Sequence, residues 1–338
     1  MILGWFAFAF NAVMPILLQV LLGYWLKQKK ILSEQFAKTG SKFAFRYCIS
    51  VMQFLNIYNL GSLSDIPWTI AGFVVAALLL LCSIGLLMAH LTTNRHNQKG
   101  VIAQTWMRSN SAIIGQPLSE AIGGSAAAAI LAPLQFPAVI MYNAASVIFL
   151  TIYSDSDEKK ISPRKLLVKI LTNPLIFGIL CGMACLVVRP LIPLGADGHP
   201  VISLQYSLPF LYRAMTSISR MATPLALVCL GAQFSFSAVK GMGRVITITV
   251  LGRLVAAPAI GFSLAYLASR AGLFELSPAL VAALVAIFAS PVSVSSAPMA
   301  LDMKADGVLA GQLVVWTSLF SMFSLFTIIV LFQAIGWL

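Results

Sequence analysis

The feature that most constrains this chain is a succession of long apolar runs separated by short polar loops. Of its 338 residues, 59% are hydrophobic and only 9% are charged, whereas soluble domains carry about 25% charged residues. Polar side chains are therefore too few to cover a water-soluble globule. A run of about 20 apolar residues crosses a bilayer as a helix, so the sequence predicts an all-α polytopic membrane protein.

Ten transmembrane helices account for the apolar runs and leave little chain for a soluble domain. Their predicted ranges, each good to about three residues, are about 4–26, 43–60, 68–91, 101–122, 126–152, 168–188, 207–235, 243–268, 278–302 and 308–336.

The basic residues predict how these helices are oriented. Lys and Arg number 22 against 10 Asp and Glu. If the N-terminus is outside, the predicted cytoplasmic loops hold 15 of the basic residues and the outer loops hold 2. Cytoplasmic loops are enriched in Lys and Arg, so both termini are predicted on the outer side of a cell membrane, plasma or inner. The positive charge therefore indicates orientation in a lipid bilayer, and no nucleic-acid partner is expected.

This orientation implies an inverted repeat. Each half contains five predicted helices, an odd number, so the two halves insert with opposite polarity. We predict a first five-helix repeat over 1–152, a cytoplasmic loop over 153–165 and a second, inverted five-helix repeat over 166–338. Inverted repeats are typical of secondary transporters.

The fourth helix of each repeat contains a proline interruption. Pro117 follows Gly115 in one, and Pro291 lies in the other. Proline removes a backbone donor, and open backbone groups inside a bilayer are tolerated where they line a cavity. We predict that half-helices restarting at Pro117 and Pro291 face each other at mid-membrane. Their free N–H groups would suit a carboxylate.

Polar and glycine residues around the two interruptions form the predicted substrate site. Its members are Asn110, Gly115, Gln116, Pro117, Gln135, Ser290, Pro291 and Ser293. Arg108 could attract an organic anion, or could instead pair or snorkel. Glu120 and Asp302 could be proton-coupling carboxylates or solvated helix ends. Arg46 and Arg253 lie near cytoplasmic helix ends, where snorkelling is the favoured interpretation.

Several motifs resemble those of the auxin efflux carrier family, which includes plant PIN auxin exporters and bacterial malate and malonate carriers. The resemblance covers essentially the whole chain. The motifs that carry it are Gly23-Tyr24, Lys30-Ile31-Leu32, Asn110 followed by Gly115-Gln-Pro117-Leu118, Asn173-Pro174, Pro224-Leu-Ala-Leu through Gly231, and Ala289-Ser-Pro291. One departure is Ser50-Val51-Met52-Gln53, where the second helix of the family usually carries a proline.

The resemblance implies an elevator-type fold similar to bile-acid symporters and sodium/proton antiporters. Helices 1, 2, 6 and 7 would form a scaffold. Helices 3–5 and 8–10 would form a mobile transport unit in which the broken helices 4 and 9 cross. Asn110, Pro117 and Pro291 would contact substrate at the crossover, and Gln135 matches a fifth-helix glutamine of PIN-like members. A homodimer through the scaffold helices is left open.

The function predicted is secondary active or facilitated transport of a small organic anion, such as malate, malonate or an auxin-like acid. The alternatives are a sodium- or proton-coupled symporter of a larger amphipathic anion, and a non-transporting receptor or a channel. HExxH, GxSxG and GxxxxGK[ST] motifs do not occur in the sequence. No enzyme activity, catalytic residue, cofactor or metal site is therefore predicted.

Overall fold

The computed structural model describes residues 2–60, 67–154, 164, 168, 171–193, 200–234 and 241–338. Within these ranges the regular elements are helices. The α-helices are α1 (Ile2–Gln28), α2 (Glu34–Phe43), α3 (Ser50–Tyr58), α4 (Trp68–Thr92), α5 (His96–Met107), α6 (Gln116–Ile152), α7 (Pro174–Val188), α8 (Pro209–Gln233), α9 (Gly243–Leu251), α10 (Ala257–Arg270), α11 (Pro278–Phe288), α12 (Ser296–Asp302) and α13 (Gly307–Ala334).

Wider π-helical turns join or precede some of these helices. Ala44–Ile49 connects α2 to α3, Ser111–Gly115 precedes α6, and Gly252–Ala256 connects α9 to α10. Such turns occur as single insertions in α-helices, often at functional sites. The predicted loop 153–165 lies outside the described residues except for its first two residues and residue 164.

Among the residues that the structure describes, five helical stretches are long and apolar enough to cross a membrane. They are Trp68–Thr92, Leu118–Ile152, Pro209–Gln233, Gly243–Arg270 and Gly307–Ala334. Ile176–Leu191 and Pro278–Phe288 are apolar but shorter. These helices make the chain a helical membrane protein, while the total of ten spans and their orientation stay predictions.

Gly124 divides α6 into two helices. Its φ of 67° and ψ of −164° interrupt the helical backbone, and glycine adopts this positive φ without the steric cost of a Cβ. The interruption falls between the predicted helices 101–122 and 126–152. The helix α6 therefore contributes to both of these predicted helices, on either side of the kink at Gly124.

Close backbone contacts join α1 to α8 and α3 to α7. A Cβ on Gly23 would lie 2.0 Å from the carbonyl oxygen of Val228, and one on Gly178 would lie 2.4 Å from that of Ser50. Small residues allow helices in membranes to approach in this way. The four segments belong to predicted helices 1, 2, 6 and 7, whose grouping as a scaffold stays a prediction.

The helix α11 lies at the centre of the protein. Every residue from Leu280 to Ala289 is buried, and the helix packs mainly against α6. A helix that is apolar on all sides is normally buried on all sides. The C-terminal end of α11 therefore lies in the protein interior, and the second interruption follows it there.

Candidate functional site

The two interrupted segments meet inside the protein. The backbone N–H of Asn110 donates to the carbonyl of Pro291 at 2.9 Å, and that of Ser293 donates to the carbonyl of Arg108 at 3.3 Å. Ser109 and Val292 thereby form an antiparallel bridge. Each interrupted segment therefore supplies hydrogen-bond partners for backbone groups of the other. Lipid could not supply such partners.

The first interruption lies several residues before the predicted one. The backbone leaves the helix at Arg108 and Asn110, where ψ is 102° and 45°, and helical geometry resumes at Ser111. Pro117 is instead the second residue of α6. The π turn before it explains this difference, because the carbonyl of Asn110 accepts from both Ile114 and Gly115. The π turn shifts the backbone hydrogen bonds just before Pro117 away from the regular α-helical pattern. Pro117 has no N–H to donate, and it follows directly on this irregular turn.

The second interruption also restarts later than predicted. Pro291 lies in a non-helical stretch, and α12 begins at Ser296. Proline disfavours helical geometry in the residue before it, so α11 ends at Phe288 and the chain runs several residues before turning into α12.

Gly115 is required for packing. A Cβ at this position would lie 2.7 Å from the Cβ of Ala286, so only glycine lets the start of α6 contact α11. Its φ of −68° is ordinary helical geometry.

Arg108 is buried, with 2% of its surface exposed. It donates to Asn143 Oδ1 at 3.0 Å, to Ser295 Oγ at 2.7 Å and to Met299 Sδ at 2.8 Å. These partners are neutral. The ion pairs among the described residues are Lys38–Glu34 and Arg46–Asp302, so no described carboxylate neutralises Arg108. Its burial also excludes snorkelling.

Arg253 is the second buried arginine of this region, and its snorkelling interpretation is wrong. It lies in the turn between α9 and α10 and has 0% of its surface exposed. Its guanidinium donates to the carbonyls of Ser290 at 2.7 and 3.0 Å, Trp106 at 3.1 Å and Ile287 at 3.4 Å. The last carbonyls of a helix have no partner within the helix, and Arg253 supplies donors at the ends of both α5 and α11.

A polar cavity of about 40 Å³ lies beside the crossing segments. This volume has room for roughly two or three water molecules. Its walls are formed by the interrupted segments, by α6, and by α3 with the π turn that precedes it. The lining residues are Ile49, Met52, Gln53, Arg108, Ser109, Asn110, Ser111, Val139, Tyr142, Asn143, Ser293 and Ser295.

Asn110 has an unused donor in this cavity. The residue is 3% exposed, and its Nδ2 has no hydrogen-bond partner within the protein. Leaving such a group unpartnered costs about 1–3 kcal/mol. A group with this penalty at a cavity wall is suited to a ligand acceptor.

The structure brings some predicted site residues to the cavity and places others elsewhere. Asn110, Ser293 and Arg108 line it. Gln135 donates to Gln116 Oε1 at 2.8 Å, and neither of these glutamines is among the lining residues.

Ser290 and Pro291 contribute backbone carbonyls to the crossover, Ser290 to Arg253 and Pro291 to Asn110. Glu120 is exposed on α6 and does not line the cavity. Asp302 pairs with Arg46 at 2.9 Å. Neither acidic residue therefore contacts the buried arginines.

Sequence reasoning missed Gln53, Tyr142, Asn143 and Ser295 as lining residues. Asn143 carried one usable signal, because an amide within an apolar helix needs a partner inside the protein. Ser295 lay beside the predicted Ser293. Nothing in the sequence indicated that Gln53 would face the crossover from a distant helix.

A larger cavity exists but lacks the chemistry of an anion site. It is a groove of about 1190 Å³ between α9–α10 and α13, lined by side chains such as Leu254, Phe262 and Phe320. Its lining contains no charged residue. Over the described ranges, no group of three or more His, Cys, Asp or Glu could hold a metal ion either.

Comparison with known proteins identifies the family of this chain. A search of curated proteins gives no match. The family model described as "Membrane transport protein" matches residues 8–329, nearly the whole chain. This protein therefore belongs to that family, which comprises the auxin efflux carriers and PIN-like membrane transporters.

Proposed function

We propose that this protein is a secondary carrier, active or facilitated, that binds a small organic anion at the crossover and moves it across the membrane. Family membership and the apolar helices make the chain an integral membrane transporter, and the family is not an enzymatic one. The class of substrate, its position and the mechanism are the parts that we propose.

The buried guanidinium of Arg108 is the observation that carries the proposal. Its protein partners are neutral, and it faces a polar cavity that also contains the free amide of Asn110. A buried charge without a counter-ion is costly. An anion entering the cavity would supply that counter-ion, and a carboxylate would accept hydrogen bonds from both side chains.

The N-terminal end of the helical stretch beginning at Ser111 adds to the attraction. Its first N–H groups have no partners within the helix, and a helix N-terminus carries about half a positive charge. Ser111 lines the same cavity as Arg108. The crossover therefore combines a full and a partial positive charge on one wall.

The proposed mechanism is elevator-type alternating access. Predicted helices 1, 2, 6 and 7 would form the scaffold, and predicted helices 3–5 and 8–10 would form the moving unit. Ile49, Met52 and Gln53 supply the wall from the second predicted helix, so the cavity lies where these two units would meet. Both termini on the outer side of the cell membrane, and a homodimer through the scaffold, complete the proposal.

Uptake into proteoliposomes tests this function. A panel of radiolabelled mono- and dicarboxylates should include at least one substrate with saturable flux. Arg108→Gln should abolish that flux, whereas Arg46→Gln, which removes a half-exposed charge outside the cavity, should leave it measurable. Absence of saturable flux for every acid, with folded protein in the vesicles, would contradict the proposal.

Cation coupling has no specific support from the described carboxylates. A sodium or proton site would need an acidic group near the crossover, but Glu120 is exposed and Asp302 is paired with Arg46. Repeating the uptake assay without sodium and at different external pH would reveal such coupling directly.

A further inference from the structure

The two buried arginines of the crossover have different electrostatic surroundings. Arg253 donates to backbone carbonyls and does not line the polar cavity. Arg108 donates to neutral side-chain groups and does line it. This difference determines how much positive charge is available to a ligand.

The charge of Arg253 is offset within the protein. Trp106 lies in the last turn of α5 and Ile287 in the last turn of α11. Each helix C-terminus carries about half a negative charge on its unpartnered carbonyls. Two such ends amount to about one negative charge, which the single guanidinium of Arg253 balances.

The charge of Arg108 stays available. All other lining residues of the cavity are uncharged, and the second predicted helix contributes the apolar side chains of Ile49 and Met52 to the lining. The other polar groups are amides and hydroxyls, among them the unpartnered Nδ2 of Asn110. The cavity thus offers one full cation, one partial charge at a helix N-terminus and several neutral donors.

From this charge count we infer that the site selects monoanions over dianions. This inference rests on the proposed function and specifies its substrate class as an acid with one ionised carboxylate. One carboxylate neutralises Arg108. A second ionised carboxylate would find no second cation among the lining residues, and burying an unpaired charge is strongly unfavourable.

Matched acids that differ in charge test the inference. Succinate and malonate are compared with monomethyl succinate and monomethyl malonate, each titrated into the purified full-length protein at neutral pH. We expect each monomethyl ester to bind at least tenfold more tightly, measured by thermal shift and calorimetry. Equal or tighter binding of the dianions would overturn the inference and leave the carrier proposal intact. If no acid is bound or transported, both fail.

Two substitutions at the cavity wall test the charge count itself. Asn143→Asp places a carboxylate where an amide oxygen now lies 3.0 Å from Arg108, and should weaken monoanion binding at least tenfold by neutralising the site. Gln53→Arg adds a second cation to the cavity lining. This variant should shift the binding preference toward dianions.

Lys38→Gln is the control, because it changes the net charge without changing the cavity. It should keep the preference of the unmodified protein. An unchanged preference in a folded Gln53→Arg variant, or full monoanion affinity in Asn143→Asp, would contradict the inference.

Discussion

A buried arginine is stable where its donors have acceptors, and at Arg253 backbone carbonyls supply them. Trp106 lies far in sequence from Ile287 and Ser290, yet one guanidinium bonds to the carbonyls of all three. Asn110 shows the opposite situation, because its amide nitrogen has no partner. One residue therefore stabilises the crossover, and the other is available to a ligand.

Replacing Arg253 should destabilise the fold. Arg253→Met leaves several buried carbonyls without donors, and each such group costs about 1–3 kcal/mol. We expect a clear loss of thermal stability of the purified protein. Arg46→Met, which breaks a half-exposed ion pair, should cost no more than about 1 kcal/mol. Equal stability of these two variants would contradict the role of Arg253.

Replacing Asn110 should affect binding more than folding. Asn110→Ala removes an amide donor that makes no internal hydrogen bond, so substrate binding should weaken by about 1–3 kcal/mol. Titration of the transported acid measures this change. Asn59→Ala makes the same chemical change at an exposed position and should leave affinity unchanged. Unaltered affinity of a folded Asn110→Ala variant would assign Asn110 a helix-stabilising role alone.

At the scale of helices, glycine contacts determine how closely the segments approach. A Cβ on Gly231 of α8 would lie 1.9 Å from the carbonyl oxygen of Val20 in α1. The neighbour is backbone, which cannot move aside as a flexible side chain can. The interface between α1 and α8 therefore depends on this glycine, as the interface between α6 and α11 depends on Gly115.

Gly231→Ala should separate α1 from α8. Overpacking of this kind costs about 1–3 kcal/mol or more, visible as reduced thermal stability and reduced yield of folded protein. Gly72→Ala is a matched control, because Gly72 lies within α4 with no atom near its added Cβ. That change should be neutral or stabilising by up to about 1 kcal/mol. A Gly231→Ala variant as stable as Gly72→Ala would contradict the contact.

At the scale of the whole molecule, one ion pair joins the two proposed units. Arg46 lies in the turn between α2 and α3, and Asp302 is the last residue of α12. Their 2.9 Å contact connects the second and ninth predicted helices. In an elevator mechanism such a contact would break when the transport unit moves.

Breaking this pair should therefore change the rate of transport. Arg46→Asp should alter initial uptake by up to about fivefold, consistent with about 1 kcal/mol for an exposed pair, and adding Asp302→Arg should restore it. Lys38→Gln removes an ion pair contained within α2 and should have no effect. If the double variant behaves no better than Arg46→Asp, the pair does not connect moving parts.

The sequence by itself determined that the chain is a helical membrane protein of this transporter family, and that Arg108, Asn110 and Ser293 lie close to backbone interruptions. These features depend on composition, apolar run length and proline, which act locally along the chain. The interruptions themselves were misplaced by a few residues, because a π turn accommodates Pro117 and the chain runs on after Pro291 before α12 begins.

Only the tertiary structure decided which side chains meet at the crossover. Gln53, Asn143 and Arg253 reach it from helices distant in sequence, whereas Gln135 pairs with Gln116 and Glu120 is exposed. A helix in lipid is apolar on its outer face as well as its inner one, so the periodicity that identifies the buried face of a soluble helix is weak. The direction in which each polar side chain faces therefore depends on how the helices pack against one another.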